Sequence, residues 1–171
     1  DVGCGKTDVA VMSLLSAIAA NKKGVIMAPT EVLAIQHYYK FKRFLEPIGV
    51  PVYLLKSKMK KKDKEKVLQA ISNGSPSVVV GTHALIQDGV TITELGLVIV
   101  DEQHRFGVLQ RQLLKDKGYN PHCLFMTATP IPRSFMLTCY GDLDKTVIHE
   151  LPPGRKQPLT QQFKDSQMRE V

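Results

Sequence analysis

Several features that mark secreted, membrane and metalloprotease chains are missing from this 171-residue sequence. It has three cysteines, Cys4, Cys123 and Cys139, without a C-x-x-C pair, which favours a reducing compartment over a disulfide scaffold. No apolar run approaches the roughly 20 residues that span a bilayer, so no membrane partner is expected. Neither a signal peptide nor an internal repeat is recognisable. Glu102-Gln103-His104 resembles part of a zinc-protease helix, but the H-E-x-x-H motif is absent.

The chain is long enough for one domain, and its charge is biased towards lysine and arginine. Hydrophobic residues make up 43%, which argues against disorder, and 23 basic against 16 acidic side chains give a net charge of +7. That excess favours a polyanionic partner, although many basic proteins bind none. Residues 56–66 contain 7 lysines and only two acids, Asp63 and Glu65. This run predicts either a phosphate-contacting surface or a solvated helix face.

Short apolar runs alternate with longer amphipathic stretches, which is the pattern of an α/β fold. The runs are rich in Val, Ile and Leu, which indicates a mainly parallel sheet covered by helices on both faces. Strands are predicted at 25–28, 51–55, 77–80, 95–100, 123–126 and 146–149. Helices are predicted at 7–21, 31–45, 58–72, 107–117 and 133–139, with Gly24 ending the first and Thr30 capping the second. Residues 1–150 are predicted to form the domain, and the Pro-rich residues 151–171 a linker.

The first residues contain most of a phosphate-binding loop, G-x-x-x-x-G-K-[ST]. Gly3 and Gly5, with Cys4 between them, would let backbone N–H groups turn towards phosphate oxygens. The following helix adds the positive end of its dipole, Lys6 would reach the β- and γ-phosphates, and the Thr7 hydroxyl would ligate Mg²⁺. The loop predicts a nucleoside triphosphate as ligand. The alternative is a chance turn, which the small apolar helix directly after it disfavours.

The first glycine of this loop would lie one residue before Asp1, and the buried strand that normally precedes the loop would lie further upstream. We therefore expect the chain to be a piece of a longer protein. A sheet without that strand would have unpaired backbone groups. We expect a gap in the sheet, a strand supplied by a neighbour, or a disordered loop over residues 1–7.

A pair of acids ends the apolar run at 95–100 and completes the nucleotide motif. Asp101 would hold Mg²⁺, through water, and Glu102 would orient and deprotonate the attacking water. The alternative is a pair of solvated acids at a strand end, although the two motifs together are more specific than either one. A P-loop kinase needs no such glutamate, since its nucleophile is a substrate, and no base-reading motif of a switch GTPase is obvious.

Two threonines close the strand predicted at 123–126. The carboxyl ends of parallel strands line one crevice, so we expect Lys6, Asp101 and Thr127 to share it. Thr127 and Thr129 would then link the γ-phosphate state to the other face of the site. The alternative is a pair of capping hydroxyls at a strand end.

Five motifs occur in helicase order and resemble motifs I, Ia, Ib, II and III of superfamily 2 helicases. They are Gly-Lys-Thr at 5–7, Ala-Pro-Thr-Glu at 28–31, Gly-Thr-His-Ala-Leu at 81–85, Asp-Glu-Gln-His at 101–104 and Thr-Ala-Thr at 127–129. The longer strings resemble the RecG family; they are DEQHRFG at 101–107, TATPIPR at 127–133, YGDLD at 140–144 and LPPGRK at 151–156. The alternative is the equivalent lobe of a transcription-repair coupling translocase, but those usually carry Asp-Glu-Glu-His, so Gln103 favours RecG.

The resemblance implies a RecA-like P-loop domain, the first motor lobe of an enzyme that remodels stalled forks and branched DNA in recombination and repair. ATP and Mg²⁺ would be its cofactors, with Lys6, Asp101 and Glu102 as hydrolysis residues. By the same resemblance, the residues that would contact the DNA backbone are Pro29, Thr30, Glu31, Gly81 and Thr82. Thr127 and Thr129 would couple DNA binding to the state of the nucleotide. Strand-end hydroxyls and N–H groups are ordinary phosphate contacts.

Other parts of that family have no counterpart here, namely the wedge domain that splits forks and the second RecA-like lobe with its arginine finger. We expect the chain alone to bind nucleotide weakly and hydrolyse it negligibly, since such a finger is worth orders of magnitude in rate. The resemblance places the parent protein with DNA in the bacterial cytoplasm, or in an organelle if it is eukaryotic. The alternative from another class is a nucleic-acid-binding module without catalysis, which the net charge supports.

Overall fold

The described part of the chain forms a five-stranded, all-parallel sheet in the order β2-β3-β1-β4-β5. The computed structural model describes residues 4–102, 121–128, 144 and 146–148. The strands are β1 (Lys23–Met27), β2 (Val52–Leu55), β3 (Val78–Gly81), β4 (Leu95–Asp101) and β5 (His122–Met126). The helices are α1 (Lys6–Ala19), α2 (Glu31–Leu45) and α3 (Lys61–Ser72), with 3₁₀ turns at Glu46–Ile48 and His83–Ile86. The predicted α/β class is confirmed.

Helices cover both faces of the sheet because successive side chains of a strand point to opposite faces. Ile26 of β1 and Ile99 of β4 belong to a core cluster with Leu14 of α1 and Phe41 of α2. The alternate residues of the same strands pack in a second cluster, which contains Ile71 of α3. Nearly every residue of the inner strands is buried, which is why their sequences read as continuous apolar runs.

Sequence patterns located the helices and strands of the described part to within three residues at each end. The prediction for α2 has the observed bounds, and Thr30 caps it, since the Thr30 hydroxyl accepts a hydrogen bond from Leu33 N at 3.3 Å. The predicted elements at 107–117 and 133–139 and the linker at 151–171 lie outside the described residues. Within the described residues no helix is both long and apolar enough to cross a membrane.

The prediction that Gly24 ends α1 was wrong. The helix ends at Ala19, and Asn21 takes the left-handed conformation with φ 55°. Asn21 N and Lys22 N donate to Ile18 O and Ala17 O, both at 2.9 Å, which is a Schellman arrangement. Gly24 lies inside β1, where an added Cβ would be 2.2 Å from Leu14 Cδ2. The glycine is therefore explained by the close approach of α1 to the sheet.

The prediction of a strand at 146–149 was wrong. Residues 146–148, within the strand predicted at 146–149, belong to no strand, and Val147 and Ile148 are 49% and 40% exposed. These side chains face solvent instead of entering the sheet. Of the three alternatives expected for the missing strand, a gap is not found among the described strands, because each is hydrogen-bonded to the next and β5 is the outer strand on its side. The other two alternatives stay predictions.

A buried lysine closes the amino end of the sheet. Lys23 is fully buried, and its Nζ donates to Thr93 O at 3.0 Å, to Thr93 Oγ1 at 3.1 Å and to the carbonyl of Asn73. Burial lowers the pKa of Lys23, against the attraction of Glu94. These bonds tie β1 to the segments that follow α3 and precede β4, so Lys23 has a structural role.

We predict that Gly81→Ala destabilises the protein by about 1–3 kcal/mol, the usual cost of overpacking. A Cβ at Gly81 would lie 2.6 Å from the backbone oxygen of Leu55 and 2.8 Å from Leu85 Cγ. Gly74→Ala is the matched control, because a Cβ at Gly74 meets nothing within 4 Å. Urea unfolding measures both variants. Equal stability of the two variants would contradict the steric explanation.

Candidate functional site

Four chain segments that are distant in sequence meet at the carboxyl edge of the sheet. The parallel register pairs Met27 with both Gly81 and Val100, and Asp101 with Met126. The residues after β1, β3, β4 and β5 therefore emerge at the same edge. Many of the predicted site residues lie in these segments. They are Pro29, Thr30, Glu31, Thr82, Glu102 and Thr127. Gly3 and Thr129 lie outside the described residues.

The glycine-led start of α1 supplies the fifth segment of this edge. Gly5 has φ 92°, which a side chain would strain, and its carbonyl accepts hydrogen bonds from Asp8 N at 2.9 Å and Val9 N at 3.2 Å. This turn places Lys6 and Thr7 in the first turn of α1, and both are half-buried. α1 packs against β1 and β4, and its carboxyl end turns directly into the amino end of β1. The helix therefore runs back along the sheet, and its amino end begins towards the carboxyl edge.

Cys4 and Lys6 interact directly within the loop. Lys6 Nζ donates to Cys4 Sγ at 3.7 Å. Burial raises the pKa of the Cys4 thiol, but the charges of Lys6 and of the amino group of residue 1, together with hydrogen bonds to both, lower the net pKa below its ordinary value. The Lys6 ammonium therefore favours negative charge at Cys4 Sγ.

Asp101 is held by a residue that the sequence did not reveal as functional. His37 Nε2 of α2 lies 2.8 Å from Asp101 Oδ2, and both side chains are 14% exposed. Since a carboxylate only accepts, the imidazole N–H donates. Ala34 lies three residues before His37 and Phe41 four residues after it, and both are buried. His37 therefore lies on the apolar stripe of α2. A polar residue on the core-facing side of a predicted helix was the sequence signal that could have marked His37 as a candidate site residue.

Glu102 directly follows β4 and has a strained backbone conformation. Its φ is 52°, in the left-handed region that costs an L residue about 1–2 kcal/mol. Asn21 and Glu94 are the other non-glycine residues with positive φ in the described part of the chain. Asn21 has an explanation in its helix terminus, and strain at a strand end beside Asp101 is typical of a functional position.

The residues predicted to contact DNA differ in exposure. Thr30 is exposed while its hydroxyl caps α2, and Pro29 and Glu31 are half-buried. Gly81 and Thr82 are buried, with Thr82 only 5% exposed, and Gly81 O accepts a hydrogen bond from Ala28 N at 2.9 Å. Thr30 is therefore the member of this set most available to a ligand, and a DNA contact at each of these residues stays a prediction.

Residues 1–137 match the family model described as DEAD/DEAH box helicase. The chain belongs to the DEAD/DEAH box helicase family. The match includes every residue that was predicted to form the site. The roles of these residues stay predictions.

Relatives within this helicase family agree with the RecG resemblance of the sequence strings, which is confirmed. The ATP-dependent DNA helicase RecG of Aquifex aeolicus is 51% identical over 173 residues, which cover all of this chain and 22% of that protein. RecG of Bacillus subtilis is 50% identical over 156 residues, 91% of this chain and 23% of that protein. The chain thus spans less than a quarter of the length of these curated relatives.

Solved helicase structures have the same fold. A structure of RecG bound to a three-way DNA junction matches with a TM-score of 0.77 and 48% identity, over 92% of this chain and 21% of that one. The Hef helicase domain of Pyrococcus furiosus matches with a TM-score of 0.65 at 24% identity, over 81% of this chain and 30% of that one. The second likeness concerns the fold alone.

We predict that Cys4 is alkylated at lower pH than an ordinary thiol, because the thiolate is the reactive form and its pKa is lowered. Lys6→Ala should move the pH profile of alkylation upwards. Lys22→Ala is the control, since Lys22 pairs with Glu94 at 2.5 Å near the amino end of β4. Iodoacetamide labelling followed by peptide mass spectrometry gives the rates. An unchanged profile in Lys6→Ala would refute this interpretation of the loop.

Proposed function

We propose that this chain forms the ATP-binding lobe of a DNA helicase or translocase, with residues 1–150 as the lobe and 151–171 leading towards a second lobe. One observation carries the proposal. In a chain of the helicase family, the Asp101-Glu102 pair lies at the carboxyl edge of a parallel sheet, and α1, which turns directly into the amino end of β1, begins towards that same edge. Open parallel sheets bind ligands at this edge.

The nucleotide would bind at the start of α1. Backbone N–H groups around Gly3, Cys4 and Gly5, the positive end of the α1 dipole and the Lys6 ammonium would bind the phosphates. The low pKa of Cys4 supports an electropositive loop. Glu102 would orient and deprotonate the attacking water, which makes its position at the end of β4 decisive.

Magnesium would be held by Thr7 and Asp101 together with the phosphates. Among the described residues no cluster of three or more His, Cys, Asp or Glu side chains could hold a metal alone. That agrees with Mg²⁺, which is usually bound by one or two protein groups plus substrate phosphates. Asp101 fits, because a carboxylate that accepts one hydrogen bond from His37 still has acceptor capacity. The ion would offset the negative charge of the phosphates.

DNA would run along the β2-β3-β1 side of the same edge. Thr30 is exposed after β1, and the basic run begins directly after β2, which pairs with β3 at Leu55 and Gly81. Most lysines of that run are exposed, including Lys58, Lys60 and Lys61. Contacts of this kind grip phosphates and not bases, which suits a motor that moves along any sequence. Thr127 and Thr129 would couple DNA and nucleotide.

The relatives suggest the substrate and the rest of the enzyme. We infer branched or forked DNA, processed in recombination and repair, from the likeness to RecG bound to a three-way DNA junction. A wedge domain and a second lobe would complete the protein, which would act on DNA in a bacterial cytoplasm. A DNA-binding module without catalysis is the second candidate, favoured by the exposed basic run. It predicts DNA binding without any DNA-stimulated ATP hydrolysis.

We predict that Glu102→Gln lowers the DNA-stimulated ATPase kcat of the full-length protein by about 10²–10⁴-fold, the usual contribution of a general base. Nucleotide binding should persist, because the phosphate-binding groups remain. Lys6→Ala should instead weaken ATP binding. Glu94→Gln is the control, as this exposed acid pairs with Lys22 away from the site. Retention of normal turnover by Glu102→Gln would refute the hydrolytic role, and absence of turnover in the parent protein would favour the binding module.

We predict that Thr30→Asp weakens binding of a forked duplex at least about fivefold at low salt. Aspartate is a good N-cap, so α2 should stay intact, while the added charge repels nearby phosphate by about 1 kcal/mol at 4 Å in water. Thr30→Ser should bind normally, and Thr91→Asp places the same charge on an exposed residue before β4. Fluorescence anisotropy across a salt series gives the affinities. Equal affinities of the two aspartate variants would place DNA elsewhere.

A further inference from the structure

We propose that His37 is a positioning residue that orients the Asp101 carboxylate and connects it, through α2, with the proposed DNA-facing segment at Thr30. This inference rests on the proposed function, since Asp101 is there a ligand of the nucleotide's magnesium. It goes beyond it, because it names a group that touches neither nucleotide nor DNA. The connection would let the state of the DNA side bias the geometry of the hydrolysis site.

The geometry of the pair meets the requirements for positioning. The two residues are 64 positions apart in sequence, and the 2.8 Å bond joins α2 to the end of β4. Both side chains are only 14% exposed, so water competes weakly for the carboxylate. A short, charge-assisted hydrogen bond of this kind restricts the rotation of the carboxylate about its own torsions.

The imidazole itself is fixed by the core. Its ring centroid lies 5.9 Å from that of Phe41, one turn further along α2, and the ring planes are tilted by 37°. Phe41 is 1% exposed and packs in the cluster that contains Ile26 and Ile99. The contact with Phe41 therefore restrains the imidazole ring on the sheet face on which Asp101 lies.

Asp101 lies on the face that α1 and α2 cover. It alternates in β4 with Leu97 and Ile99, which both belong to the cluster shared with those helices. The same face bears the start of α1, with Lys6 and Thr7. One oxygen of the carboxylate bonds to His37, and such bonds to a metal-binding carboxylate tune both its orientation and its affinity for the ion.

Helix α2 joins this bond to Thr30 over two helical turns. The Thr30 hydroxyl caps the helix at Leu33, and Ala34 and Phe41 anchor it in the core. Seven residues of helix span about 10 Å at 1.5 Å per residue. A ligand that displaces the exposed amino end of α2 would consequently displace His37 and alter its bond to Asp101.

The test compares three substitutions of His37 in the full-length protein. His37→Leu removes the donor, His37→Gln keeps an N–H donor at a similar reach, and His37→Asn keeps a donor that is too short. Gln36→Leu is the matched control on an exposed position of the same helix. The measurements are the Mg²⁺ concentration for half-maximal ATPase activity at saturating ATP, the fold stimulation by forked DNA, and DNA affinity in EDTA.

We expect His37→Leu and His37→Asn to raise the half-maximal Mg²⁺ concentration about tenfold and to reduce the stimulation by DNA. His37→Gln should restore most of both, and all variants should bind DNA normally in EDTA, where no metal is present. Unchanged Mg²⁺ dependence and stimulation in His37→Asn would overturn the inference. If His37→Leu does not fold, the comparison of Gln with Asn still decides, because both keep a polar side chain.

Asp101→Asn distinguishes a failure of the proposed metal role of Asp101 from a failure of the positioning role of His37. Loss of ATPase activity in Asp101→Asn with normal behaviour of His37→Asn would sink the positioning role alone. Normal ATPase activity in Asp101→Asn would sink the proposed metal role of Asp101, and the His37 inference with it. Loss in Asp101→Asn, together with a raised Mg²⁺ requirement in His37→Asn that His37→Gln repairs, supports both.

Discussion

The parallel pairing of β1 with β3 on one side and β4 on the other is the constraint on which the rest depends. β1 is buried along its whole length and lies in the middle of the sheet. The register at Met27 places the carboxyl ends of β3 and β4 at the same level, on either side of β1. A slip of one residue in β4 would turn Asp101 away from α1 and α2, onto the face of α3. The core packing of Leu97 and Ile99 therefore also specifies the orientation of the Asp101 carboxylate.

The position of the phosphate-binding loop depends on a second packing contact. α1 begins at Lys6, so whatever fixes α1 against the sheet also fixes Lys6 and Thr7. Leu14 is fully buried and lies where a side chain at position 24 would be, which brings α1 close to β1. A glycine in a strand thus helps to set the distance between two motifs at the other end of the fold. Close packing therefore requires the glycine at position 24, whereas the left-handed backbone at the start of α1 requires the glycine at position 5.

The sequence predicted those features that local chemistry determines. The bounds of α2 follow from its Thr30 cap and apolar period, and the buried strands follow from their Val and Ile content. Gly24 was misinterpreted, because a glycine that ends a helix and one that permits a close contact look alike in sequence. His37 and the positive φ of Glu102 depend on partners or geometry far along the chain. The apolar stripe of α2 marks His37 as unusual, but only tertiary packing decides that its partner is Asp101 and that Glu102 takes a positive φ.

In the proposed function, two routes would connect the DNA side of the edge with the nucleotide side, and the described residues along them differ in burial. Along β5, the residues Cys123, Leu124 and Phe125 are half-buried, and β5 is the outer strand of the described sheet. α2 is capped at its start and anchored by Ala34, Phe41 and Leu45 within the core. A helix that is anchored in a packed core moves as a unit. Packed cores shift between discrete arrangements and do not deform continuously. The bond from His37 to Asp101 therefore lies on the more deeply buried of the two proposed routes, and Thr127 on the less buried one.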